Sequence, residues 1–417
     1  MNSYDHLYER LQKAAAEDKL SDKVKAAGQD GNSDETRLLD VLLHPENKPL
    51  VIKNGTCGCA SGGKSACEVA CLFEAIKRDK DNNVVITSNC TGCGECIKAC
   101  PEQMLSGRKD SLAVLNQLKD TKTPLYAMIA PAFSGQFNPS VTSGKLRSAF
   151  KYMGFYGMIE VALFADILTL KEALEFDREI KSDGDFLLTS CCCPLWVALI
   201  KKFYRDMIPH VPPSVSPMVA CGRSIKRIHP EAKTVFIGPC LAKKAEAREP
   251  DIADAVDYVL TFEEIAELFK LMNIDPESFE EDQSDHSSRA GRIYARTSGV
   301  SEAVQTTLDR LRPGRKIPLK AQQADGMIDC KKLLKEITEG NIQANFIEGM
   351  GCRGGCVGGP KSLIDKELAR AAVNQYGEEA GIKTPADNPY VLDLLHLLGY
   401  ETVESLLDRD SNFTRKL

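Results

Sequence analysis

Residues 185–196 read DFLLTSCCCPLW: a short apolar run, two hydroxyl residues, three consecutive cysteines, then a proline that opens the next amphipathic stretch. The same order of parts returns at 234–240 (TVFIGPC) and at 345–352 (NFIEGMGC). Apolar runs of this length, followed by turn residues and then by helical periodicity, read as buried strands. Working outward, LYAMIAPA (125–132), GMIEVALFA (157–165) and DYVLTF (257–262) are further runs of the same kind. SGKLRSAFKYMG (143–154) and TLKEALEFDREIK (169–181) carry the apolar spacing of helices. Strands alternating with helices specify an α/β domain with a largely parallel sheet, and ligands bind such sheets at the strands' carboxyl ends. Three of those ends run into cysteine, which points to one crevice.

Composition narrows the classes. The chain has 417 residues, 43% hydrophobic and 27% charged, and a formal net charge of -6 with no basic tract, which argues against a nucleic-acid partner. The longest apolar stretch, Met158 to Leu170, is interrupted by Glu160 and Asp166 and is too short and too charged to span a bilayer. The N-terminus, MNSYDHLYERLQKAAAEDK, lacks the basic start and apolar run of a secretory signal, so a cytoplasmic location is expected. Disulfides do not persist there, and 16 cysteines therefore point to metal sites. Cys221 and Cys330 stand apart, in stretches that read as helix, and suit buried free thiols.

Residues 1–48 read as a helical extension that carries no chemistry. Residues 49–108 hold eight of the cysteines. Cys90, Cys93, Cys96 and Cys100 lie in CTGCGECIKACP, the spacing of bacterial ferredoxins, where three closely set thiolates hold three corners of a 4Fe-4S cubane. Zinc fits that spacing poorly. Cys57, Cys59, Cys67 and Cys71 form a less regular C-x-C-x7-C-x3-C. In two-cluster ferredoxins the fourth cysteine of each run ligates the other cluster, which pairs Cys100 with Cys57, Cys59 and Cys67, and Cys71 with Cys90, Cys93 and Cys96. GCASGGKS (58–65) satisfies the phosphate-loop pattern G-x-x-x-x-G-K-[ST]. Cysteines flank and interrupt it and no magnesium-holding Asp strand follows, so a glycine-rich wrap around a cluster is the better reading.

TSCCCPLW (189–196), GPCLAKKAE (238–246) and EGMGCRGGCVGGP (348–360), together with APAF at Ala130, FAD at Phe164 and AGRIYARTSGVSEA at Ala290, resemble the signature strings of the FeFe-hydrogenase catalytic domain. The triple cysteine resembles a variant subgroup of that family. The resemblance implies an FeFe-hydrogenase-like α/β domain over 120–365, with parallel-rich sheets flanked by helices. A ferredoxin-like α+β module with two 4Fe-4S clusters precedes it, and a helical wrapping segment over 366–417 follows.

It also implies an H-cluster, a cubane joined through one cysteine to a diiron unit carrying CO, CN and a bridging dithiolate amine, where H2 is split or formed heterolytically. Cys193, Cys240, Cys352 and Cys356 would hold the cubane, Cys356 also bridging to the diiron unit, and Cys192 would carry the proton. Aligned instead from Thr189, both cysteine roles in the first string shift back by one residue. Ala130 and Pro131 would line the cofactor, and Lys243 would face the cyanides. Glu175 and Glu246 would continue a proton relay and Met350 would pack the site. Pro212 takes the position of a relay serine, leaving Ser214 or water as the route, and Gly238 takes that of a methionine. A ferredoxin or flavodoxin would exchange electrons, and maturation proteins would install the diiron unit. The alternative reading is a non-catalytic hydrogenase-like iron–sulfur protein of cluster assembly or redox sensing.

Overall fold

The apolar runs and the breaks between them set the order of elements in the computed structural model, which describes residues 3–29, 33–59, 63–80, 83–282, 284, 286–408 and 411–417. The first helix, Ser3–Ala16, buries Tyr4, Leu7, Tyr8 and Leu11, which fall on one face at helical spacing. That face meets the helix Ser111–Leu118, where Tyr8 OH and Ser111 Oγ are 2.6 Å apart. Helices Leu20–Gln29 and Ser33–Leu43 complete this extension.

The cysteine-rich module is built on β1 (Val51–Lys53), β2 (Ile76–Arg78), β3 (Val84–Ile86) and β4 (Leu105–Gly107). β1 pairs antiparallel with β4, and β2 with β3. Two five-residue helices, Ala66–Ala70 and Glu95–Ala99, end in Cys71 and Cys100, and each thiol accepts from the backbone four residues on, Ala75 N at 3.2 Å and Met104 N at 3.3 Å. The module is thus two copies of one small unit packed face to face.

Beyond it the strands are β5 (Leu125–Ile129), β6 (Gly157–Glu160), β7 (Leu187–Leu188), β8 (Lys233–Gly238), β9 (Tyr258–Thr261), β10 (Ala321–Asp325) and β11 (Phe346–Met350). They form two sheets rather than one. The first has the order β6-β5-β8-β9 and the second β10-β11-β7, and every pairing in both is parallel. The run GMIEVALFA is a strand only as far as Glu160. An almost wholly buried helix, Ala162–Glu179, takes over, because its apolar residues continue on all sides instead of alternating. This mixed α/β architecture is the fold class that the motif pattern implied. The loop 280–288 contains residues outside those described, as does the glycine-rich string 58–65. No helix among the described residues is long and apolar enough to cross a membrane.

Candidate functional site

The ends of β5, β7, β8 and β11 all carry site residues. β7 stops at Leu188, and Ser190 takes φ +70°, a left-handed conformation uncommon for a residue with a Cβ. Cys193 N donates to Ser190 O at 3.0 Å and closes a tight turn around Cys191 and Cys192. Cys193 then caps the helix Pro194–Phe203, with Pro194 at the first helical position, where its missing N–H costs nothing. Trp196 Nε1 donates to Thr189 O at 2.8 Å and pins the turn from behind. The indole lies flat against β11: a Cβ at Gly349 would sit 2.2 Å from Trp196 Cδ2.

A cavity of about 50 Å³ opens where the strand ends meet. Ala130 and Pro131 from the end of β5, Cys192, Cys240, Lys243 and Cys356 line it, with Met218, Pro217 and Phe236 completing an apolar wall. Cys193 and Cys352 do not line the cavity but lie within electrostatic range of Cys240 and Cys356, and Gly351 N donates to Cys193 Sγ at 3.3 Å. Cys191 is turned away, toward Glu172 Oε1 at 3.4 Å and Val215 O at 3.3 Å. Met350 is buried in the core of the second sheet and does not line the cavity.

Burial pushes these thiols up, Cys240 to about 11, Cys356 to about 12, and Cys192 and Cys352 well above the ordinary thiol value. Four neighbouring buried thiols become thiolates only when cationic metal compensates them. Among the described residues no three His, Cys, Asp or Glu side chains converge on a single ion. A cubane makes a different demand, one thiolate at each of four separate irons, and Cys193, Cys240, Cys352 and Cys356, mutual electrostatic neighbours, suit it.

Lys243 Nζ stands 2.6 Å from Glu246 Oε2, but the pair is poorly aligned, so neither the ammonium nor either carboxylate oxygen makes a proper hydrogen bond. The ammonium thus keeps hydrogen-bonding capacity unfilled at a cavity wall, which fits an anionic occupant beside its ion pair with Glu246. The ring of Phe236 lies 5.9 Å from Lys243 Nζ. That ring also occupies the space over Gly238, where a Cβ would come within 2.9 Å of Phe236 Cε1. The side chain missing at Gly238 is therefore replaced by one from two residues back on the same face of β8.

Glu175 and Glu246 belong to separate groups and do not meet. Glu175 pairs with Lys171 and lies 3.4 Å from Ser214 Oγ, which in turn accepts from Lys171 Nζ at 2.8 Å. Glu172, one turn earlier on the helix, accepts from Thr189 Oγ1 and from Cys191. Burial raises Glu172 to about 7 and also raises Glu175, against the pull of Lys171. Lys171 and Glu172 are the residues that motif reading passes over. The available signal was the charges Lys171, Glu172 and Glu175, which with Asp166 fall inside the buried, mostly apolar part of the helix.

In the cysteine-rich module, Cys71, Cys90, Cys93 and Cys96 line one small cavity. Gly92 and Gly94 hold φ +74° and +80°, and their bare Cα atoms allow close approach to Ala242 and Pro360. This loop therefore rests directly on the segments that carry Cys240 and Cys356. Cys57 and Cys59, both partly exposed, do not line this cavity.

Residues 123–360, well over half of the chain, match the model described as "Iron only hydrogenase large subunit, C-terminal domain". The chain belongs to the iron-only hydrogenase large-subunit family. Residues 83–106 match a 4Fe-4S binding domain. The chain is 27% identical to the NADP-reducing hydrogenase subunit HndD of Solidesulfovibrio fructosivorans over 399 residues, covering 81% of this chain and 67% of that one. It is 28% identical to iron hydrogenase 1 of Clostridium pasteurianum, covering 59% of this chain and 51%, about half, of that relative. It is also 23% identical to cytosolic iron-sulfur assembly component 3 of Pongo abelii, covering 74% of this chain and 79% of the relative. The fold is shared with a variant of the FeFe-hydrogenase HydA1 from Chlamydomonas reinhardtii, with a TM-score of 0.60 at 22% identity over 71% of this chain and 97% of that one.

Within the iron-only hydrogenase fold, two further strings act as ties. Asp166, in FAD, accepts from Ser288 N at 2.6 Å, Ser288 Oγ at 2.5 Å and Gly291 N at 2.8 Å. Glu348, fully buried on β11, accepts from Ser298 N and from Ser301 N and Oγ, at 2.7, 2.8 and 2.6 Å. Both carboxylates fasten the stretch 288–301 beside the cysteine-bearing ends.

Proposed function

We propose that this protein is a hydrogenase that cleaves and forms H2 heterolytically at an H-cluster. Electrons would pass through two 4Fe-4S clusters to a ferredoxin or flavodoxin. The carrying observation is that Cys192, Cys240, Cys356 and a buried Lys243, ion-paired to Glu246, share one apolar cavity, with Cys193 and Cys352 within electrostatic range of its thiols. Cys193, Cys240, Cys352 and Cys356 would hold the cubane, and Cys192, on the cavity wall, would hand protons on. When bound, the diiron unit supplies the iron position at which hydrogen reacts. Lys243 sets a positive charge where anionic ligands would lie, and Phe236, Met218 and Pro131 exclude water so that this charge acts at low dielectric. Cys71 with Cys90, Cys93 and Cys96, and Cys100 with Cys57, Cys59 and Cys67, would hold the accessory clusters. The contact of Gly92 and Gly94 with Ala242 and Pro360 would bring the first of these beside the site. Maturation proteins would deliver the diiron unit, and a cytoplasmic location suits so many reduced cysteines.

A second reading, a non-catalytic protein of iron–sulfur assembly, is favoured by the likeness to assembly component 3 over most of both chains. Infrared spectroscopy of the anaerobic protein, before and after loading with a synthetic diiron precursor, separates the two when paired with a hydrogen assay. Sharp CO and CN bands with turnover support the hydrogenase. Intact cubane signals with neither bands nor turnover after loading favour the assembly reading.

A further inference from the structure

We infer that Lys171 is a positioning residue of the outer proton relay, holding Ser214 and an ionised Glu175 together between the buried Glu172 and a surface recess. The inference rests on the hydrogenase reading and adds to it a residue that none of the signature strings contains.

A lysine in the middle of an apolar helix is costly to bury and needs a reason. Lys171 is 1% exposed, and its partners are the Glu175 carboxylate and Ser214 Oγ. Glu175 reaches a recess of about 330 Å³, open to solvent and bordered by Arg178, Asp185, His210 and Pro212. Inward, Glu172 lies one helical turn away and faces Thr189 and Cys191, which precede the cavity cysteine Cys192. Polar side chains therefore extend from beside the cavity to the surface, and Lys171 occupies the step where the fold turns outward.

Ser214 is held by the chain's far end. Ser214 and Thr414 form an antiparallel bridge, Val215 N donates to Phe413 O at 3.0 Å, and Arg415 N donates to Pro213 O at 3.0 Å. Arg415 is itself fixed by ion pairs to Glu249 and Asp251, at 2.6 and 3.0 Å. A hydroxyl anchored in this way meets the ammonium at a fixed point, although Pro212 can neither donate nor relay a proton.

The ammonium acts through charge. Desolvation, the largest effect, raises Glu175 above its ordinary value, and Lys171, with a smaller contribution from Arg178, opposes it; the direct ion pair with Lys171 is the contact that keeps the carboxylate charged. Glu172 and Cys191 are the other titratable groups facing this pair from within. An ionised Glu175 can accept a proton arriving from Glu172 and release it to the recess: one O–H bond breaks as another forms, with no electrons moved. Without Lys171, Glu175 would hold its proton at neutral pH and block the step.

The test compares wild type with Lys171→Met, Lys171→Arg and Lys171→Met/Glu175→Gln, all carrying their cubanes. Infrared difference spectra in H2O and D2O at neutral pH report protonated carboxyl groups directly. The proposal requires a new protonated-carboxyl band in Lys171→Met, absent from Lys171→Arg and abolished by the added Glu175→Gln. After diiron loading, Lys171→Met should lose at least tenfold in turnover and recover part of it as pH rises, while Lys171→Arg keeps the wild-type pH profile. Lys171→Met with no new band and an unshifted pH profile overturns the assignment. If Lys171→Met does not fold, a pH titration of wild type against Glu175→Gln decides, because a Glu175 already protonated at neutral pH is incompatible with the proposal. Should wild type itself show no turnover after loading, the hydrogenase reading fails and the relay role with it, while the carboxyl bands still decide whether Lys171 keeps Glu175 ionised.

Discussion

Gly349→Ala tests the contact on which two of the cysteine-bearing ends depend. The added Cβ would lie 2.2 Å from Trp196 Cδ2, 2.3 Å from Cε3 and 2.6 Å from Cε2, whereas ordinary contact begins near 3.4 Å. The indole must therefore retreat by more than 1 Å. It is fully buried and tied through Nε1 to Thr189 O, so it cannot swing into solvent. Overpacking of this kind costs about 1–3 kcal/mol, and loss of the indole hydrogen bond adds about 1 kcal/mol. The expected destabilisation is about 2–4 kcal/mol. Trp196 is the single tryptophan of the chain, so its fluorescence reports the displacement without labelling. In urea unfolding of the cluster-free chain the midpoint should fall and the native emission should change in wavelength or intensity. Bound iron should fall too, because Cys193 and Cys352 flank the contact. In a Trp196→Phe background the same alanine should cost less than about 1 kcal/mol, since the two changes share one contact. An unchanged midpoint with unchanged native emission would refute the steric argument.

Glu172, raised to about 7 by burial, binds more protons folded than unfolded between its ordinary value of 4.5 and that point. Its contribution is full below 4.5 and is lost as pH rises through 7, about 3 kcal/mol over the window, so Glu172→Gln should flatten the difference between urea midpoints at pH 5 and pH 8. Lys244→Met leaves Glu264 buried without its cation, while Asp110 keeps Arg108, and should cost about 3–5 kcal/mol, read by urea unfolding, with earlier proteolytic cutting between the cysteine-rich module and β5. Gly238→Ala should push the Phe236 ring aside at a cost of about 1–3 kcal/mol in thermal unfolding, and Phe236→Leu in the same chain should recover most of it.

Much of this arrangement was legible from the chain because apolar runs ending in cysteine announce both a buried strand and what its end carries. β7, β8 and β11 were readable in that way. β10 was not: it lies at a sheet edge, and its residues Ala321, Gln322 and Gln323 are not buried, so no apolar signal marks it. The division into two sheets depends on long-range pairing, and local periodicity carries no information about it. The helix start at Ala162 was missed because a segment buried on every side shows no contrast between faces. Lys171 and Glu172 were hidden for a related reason. Charges on a helix read as a solvated face until packing shows that there is no solvent beside them.

The four-residue helix Lys243–Glu246 carries two lysines with opposite duties. Lys243 faces the cavity. Lys244, fully buried, reaches Glu264 at 2.9 Å and Asp110 at 3.3 Å, and Asp110 in turn grips Arg108 at the end of the cysteine-rich module. Adding or deleting one residue between Cys240 and Lys244 would turn the helix by about 100° and take both lysines off their partners. The loop is therefore closed to changes of length, and the cysteine-rich module cannot be exchanged as a cassette between relatives unless Arg108 and Asp110 travel with it. Recombination that respects this joint can vary the electron-entry end of the protein, and recombination that cuts through it would lose the site as well.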